Sequence, residues 1–201
     1  MATPFADIRT AAGNNMDRSV QWYVRAVRQY ARGVNTFQEA QGTDLGKEAR
    51  NIDVGKMYLF TYDPKHKATL PYYDTVPLVV IVDTIPGGFS GINLHYLAPT
   101  LRANLLDKLL PTMEIDDKSL LKSVWTFVNN FSRFPEVRGS VKKYLGVNVT
   151  GRMIEVNPKN WQSAIFLPVQ KFVGASDRYV YRETMEKPER TRRQSMNIQV
   201  K

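Results

Sequence analysis

The chain has 201 residues, 43% of them hydrophobic and 23% charged, which suffices for one domain with a buried core plus extensions. It contains no cysteine, so disulfides, thiolate catalysis and cysteine-based metal sites are excluded. Its formal charge of +9 and pI of about 9.7 favour polyanionic partners: nucleic acid, anionic surfaces or acidic proteins.

Residues 1–53 read as an N-terminal arm, an amphipathic helix and a linker. The arm includes the turn-like Gly13-Asn14-Asn15. The opening MATPFADIRT has no charged region followed by an apolar run, so no secretory signal is expected. In residues 17–32, Val20, Tyr23, Val24, Val27, Tyr30 and Ala31 recur at helical spacing. Arg18, Arg25, Arg28 and Arg32 fall on the opposite face, as a cationic rail or a solvated surface. Asp17 can cap this helix and Gly33 can end it. The polar stretch 33–53 is expected to link, with a helical turn around Leu45–Arg50.

Val54–Tyr62 begins a sheet. Met57, Leu59 and Thr61 alternate with Tyr58, Phe60 and Tyr62, so both faces of the strand are largely apolar. Lys65-His66-Lys67 follows Asp63-Pro64 as an exposed basic turn, and Leu70–Asp74 is an extended connector. Val76–Asp83 is a second strand and Phe89–Leu97 a third. The intervening Ile85-Pro86-Gly87-Gly88 needs glycine for positive φ. Pro99 opens a helix with the stripe Leu101, Leu105, Leu106 and Leu109, ending before Pro111.

The runs GKMYLFTYDPKHKATLPYYD, PLVVIVD and GGFSGINLHYLAPTLRANLLDKL, with the later RMIEVNPKNWQSAIFLPVQKFVGAS, carry a family signature. Together they resemble a family of small virion or assembly proteins of T-even-type myophages and cyanophages, labelled DNA end protector or head completion. The likeness covers roughly residues 54–176. It implies a non-enzymatic structural protein that binds or protects the packaged DNA end and completes the head and neck. It also implies a multi-copy protein, present in the virion and in the host cytoplasm during assembly. Implied partners are a ring of neck, portal or tail subunits and a duplex DNA end, without a membrane. The alternative is a baseplate or tail-hub component facing acidic protein surfaces.

A further helix is expected from Asp116 or Asp117 to about Asn130. Val137–Leu145 reads as a short helix carrying Arg138, Lys142 and Lys143. Val147–Val156 reads as a strand, and Asn157-Pro158-Lys159-Asn160 as a capped turn or one 3₁₀ turn. Trp161–Val173 reads as the final strand. The fold expected is α+β: a small five-stranded SH3-like barrel over residues 54–176. A helical insertion (about 98–145) sits between strands three and four, and the termini are extended. Closure would explain a strand apolar on both sides. Residues 177–201 read as a basic extended arm.

Chemistry is sparse. His66 reads as a solvated turn residue and His95 as a hydrogen-bonding group inside the fold, and no cofactor or metal is indicated. Asp63, Asp74 and Asp83 could converge near strand ends, but aspartates there are usually structural. Trp22, Trp125 and Trp161 read as core. Tyr58, Tyr62, Tyr72 and Tyr73 could stack bases beside Lys65 and Lys67, although core and rim packing is the commoner use of such rings. The DNA- or partner-binding set is Arg18, Arg25, Arg28, Arg32, Lys65, Lys67, Lys142, Lys143, Arg190, Arg192 and Arg193, with no catalytic residue.

Overall fold

A computed structural model describes residues 45–109 and 135–186. The expected helices at 17–32 and 116–130, with Trp22 and Trp125, lie outside the described residues. So do Arg18, Arg25, Arg28, Arg32, Arg190, Arg192 and Arg193.

The described chain is α+β. Its main sheet is antiparallel, six-stranded and ordered β1-β7-β2-β4-β5-β6. The strands are β1 (Gly46–Glu48), β2 (Met57–Leu59), β4 (Leu78–Ile85), β5 (Gly88–Asn93), β6 (Val141–Leu145) and β7 (Ile154–Val156). A second ladder joins β3 (Tyr73–Asp74) to β8 (Phe172–Val173). Among the described residues the helices are α1 (Pro99–Leu109), α2 (Pro135–Arg138), α3 (Trp161–Ala164) and a C-terminal helix over 177–186.

The β-branched run of β4 pairs with β5 through a two-residue turn, Pro86-Gly87, and Gly87 takes φ 75°. A proline followed by a left-handed glycine is what a type II turn asks for. Both neighbours of β4 lie on it antiparallel, so its backbone is paired along both edges.

The alternation along β2 sorts two cores. Met57 and Leu59 join Leu78, Val80, Ile92 and Leu94 under α1 and α3, with Leu105, Leu106 and Trp161. Tyr58 and Phe60 face the other way, into Val79, Ile81, Phe89 and Tyr144. Each fully buried side chain of this size stabilises by roughly 1.5–3 kcal/mol, so both clusters matter.

The closed barrel does not form. Among the described residues β1 and β6 are the outer strands and no ladder joins them. The second apolar face is covered differently: Ala49, Ile52, Val54, Val149 and Met153 pack over the aromatic cluster. An isolated bridge, Tyr62 to Val149, ties the segment just after β2 to the segment after β6. Apolarity on both faces therefore required covering segments, not closure.

Several boundaries shift as well. Gly46–Glu48, in the expected linker, is a strand paired with β7. Val141–Leu145 is a strand on β5, after a short helix Pro135–Arg138. Gly146–Asn148 is a 3₁₀ turn, which leaves only Ile154–Val156 as β7. Asn157 caps the 3₁₀ turn Pro158–Asn160 by accepting from Lys159 N–H at 3.2 Å. The chain then continues as helix α3, not as the expected strand, and only Phe172–Val173 is extended. Residues 177–186 are helical and docked, with Val180 and Thr184 buried, so this part is no extended arm.

Candidate nucleic-acid interface

A polar network organises one end of the sheet. Asn93, at the last position of β5, is its hub. Its Oδ1 accepts from His95 N–H at 2.9 Å and so caps the 3₁₀ turn Leu94–Tyr96. Its Nδ2 donates to Asp74 Oδ2 at 3.1 Å and to the Tyr144 hydroxyl at 3.0 Å. Asp74 also accepts from Val76 N–H and Lys171 N–H, and lies 2.9 Å from His95 Nδ1. A buried carboxylate is tolerable only when its lone pairs are answered in this way.

His95 is fully buried, and burial lowers its pKa against the opposing pull of Asp74. The neutral ring then donates from Nδ1 to Asp74. Its Nε2 meets no hydrogen-bond partner among the described residues. Burial likewise raises the Tyr144 and Tyr96 phenols, so both remain protonated.

Arg102, on α1, forms a second buried clamp. Nε donates to Leu97 O at 2.8 Å, Nη1 to Ile165 O at 2.9 Å, and Nη2 to Gln170 Oε1 and the Tyr181 hydroxyl at 2.6 and 3.0 Å. The fork thus joins α1, the end of α3 and the C-terminal helix. Burial lowers its pKa, while Tyr181 and the carboxylates of Asp74 and Asp177 oppose the shift.

On the surface above Asp74 lies a groove of about 320 Å³. Its wall is tyrosine: Tyr62, Tyr72, Tyr73, Tyr96 and Tyr144. Lys65, Lys142 and Lys143 line it as well. Lys142 Nζ stands 4.1 Å from the centroid of the Tyr96 ring, a cation–π contact. Lys65 comes from the turn after Tyr62, whereas Lys142 and Lys143 come from β6, so the pairing of β6 with β5 places those two.

Three of the four described candidate cations therefore line one groove. The fourth, Lys67, ion-pairs with Asp63 at 2.8 Å, which raises its pKa. Among the tyrosines expected beside them, Tyr62, Tyr72 and Tyr73 line the groove. Tyr58 is buried in the aromatic core, its hydroxyl accepting from Asp53 N–H at 2.9 Å. Tyr96 and Tyr144 carry no site signal in the sequence. Nothing in their spacing tied them to lysines that only the sheet register brings near.

The aspartates take separate parts. Asp63 holds Lys67, Asp74 is tied into the network, and Asp83 borders the bulge in β4. Among the described residues no group of three or more His, Asp or Glu could hold a metal ion, and no helix is long and apolar enough to cross a membrane. Trp161 is core, its Nε1 donating to Val156 O at 3.1 Å.

No curated protein and no solved structure matches the chain. The family model described as the phage T4 terminal DNA protecting protein matches residues 6–187, most of its length, and the chain belongs to that family.

Proposed function

We propose that this protein is a non-enzymatic phage structural protein that binds and protects the end of the packaged DNA. The observation that carries the proposal is the family match over residues 6–187. The convergence of Lys65, Lys142 and Lys143 on a tyrosine-walled groove supports it, because ammonium groups neutralise phosphates while aromatic faces accept bases. Arg18, Arg25, Arg28 and Arg32, with Arg190, Arg192, Arg193 and Lys67, are further DNA-contacting candidates in the same proposal.

The finer placement belongs to this reading too. Several copies dock on a ring of neck or portal subunits and complete the head. The protein resides in the virion after assembly in the host cytoplasm. The reading is tested by incubating linear duplex with the full-length protein and then with a processive exonuclease. Protection of linear DNA that saturates with the number of ends is expected. Degradation at the rate of naked DNA overturns it.

A further inference from the structure

The groove sits at the meeting of two aromatic pairs. Tyr62 and Tyr144 cross edge to face with centroids 5.0 Å apart, and Tyr72 and Tyr96 lie 6.0 Å apart at 40°. A volume of about 320 Å³ is at the small end of the range that encloses a small molecule. Along its length a paired duplex offers phosphates but keeps its base faces stacked inside, and the one face that a blunt end exposes belongs to a whole base pair, too broad for a groove of this size. An acidic peptide would answer the lysines and leave the aromatic wall against water. An unpaired nucleotide offers both complements, a flat base and a phosphate. Tyr73 and Leu70 keep surface open in the lining, Tyr73 partly and Leu70 at 43% exposure. Lys65 and Lys143 are exposed there as well.

We propose that the groove takes an unpaired terminal nucleotide of a DNA end. Its base lies against Tyr73 and Leu70, and its phosphate lies between Lys65 and Lys143. Lys142, over Tyr96, adds positive potential from the wall. This inference rests on the DNA-end reading and narrows it from a duplex end to its single-stranded terminus.

The test is fluorescence anisotropy of the full-length chain with three labelled probes. These are a blunt duplex, the same duplex with a short single-stranded overhang, and a polyglutamate peptide. The overhang is expected to bind about tenfold more tightly than the blunt end, the size of effect one stacked base supplies. Tyr73→Ala should abolish that preference and Tyr73→Phe should retain it. Lys143→Glu, at an exposed position that leaves folding intact, should weaken overhang binding more than blunt-end binding. Equal affinity for blunt and overhang ends, unaltered by Tyr73→Ala and Lys143→Glu, would overturn the inference and leave the DNA-end reading standing. Binding to polyglutamate with no binding to either DNA would overturn both.

Discussion

His95 Nδ1 lies 2.9 Å from Asp74 Oδ2, at the centre of the network beneath the groove, and the ring is neutral although a carboxylate touches it. Burial outweighs the Asp74 attraction, and the nearby Arg102 charge acts in the same direction as burial. The consequence for stability has a definite sign. The folded pKa is lowered, whereas an unfolded histidine titrates near 6.5. Below about 6.5 the unfolded chain therefore takes up a proton that the folded chain refuses, and stability falls as pH falls. One such proton changes stability by at most about 1.4 kcal/mol per pH unit. Urea unfolding at about pH 7.5 and about pH 5.5 should show the native chain losing about 1 kcal/mol more than His95→Gln. Equal losses would contradict the assignment.

Arg102 should matter most to the C-terminal helix. Its Nη2 reaches Tyr181, and Gln170 bridges the same hydroxyl to Asp177. Arg102→Lys keeps a charge but loses the planar fork, leaving carbonyls at Leu97 and Ile165 without their donors. A loss of about 2–4 kcal/mol is expected from several buried groups left unpaired. Hydrogen exchange read by mass spectrometry should show residues 177–186 losing protection before β4 and β5 do. Unchanged protection of that helix would contradict the clamp.

Gly91 is required where β5 lies beside β4. A Cβ there would lie 2.3 Å from Val79 Cγ1 and 2.6 Å from Val80 O. The backbone oxygen cannot turn aside as a side chain could. Gly91→Ala should cost about 1–3 kcal/mol, a fall in Tm of several degrees. Gly146→Ala is the matched control, since its nearest neighbour would be Gly87 O at 3.5 Å, an ordinary contact. Thermal melts of the two variants that coincide would contradict this packing.

What the sequence disclosed follows how local each signal is. The Pro86-Gly87 turn, helix Pro99–Leu109 and the Asn157 cap each depend on residues a few positions apart, and all three are present. The two-faced apolarity of β2 was readable too, but not its cause, because chain closure and covering segments leave the same alternation. Strand β1 was hidden: Gly46, Lys47 and Glu48 have little strand preference, and their pairing with Ile154–Val156 is set by tertiary context. Trp161–Val173 misled because its apolar run fits a strand as well as a buried turn of helix. At the site, the lysines and three of the tyrosines stood out by type. Asn93 and Arg102 did not, since each is a polar residue in an apolar pattern whose partners lie far along the chain.

The central claim is that the groove lysines contact DNA phosphates, and salt reports on this directly. Binding of the full-length protein to a linear duplex should weaken linearly in log affinity against log salt, with a slope of about −0.9 per phosphate contacted. Replacing Lys65, Lys142 and Lys143 together by alanine should make that slope shallower by about 2–3 and weaken binding at low salt. A variant with the native slope and native affinity would contradict the account.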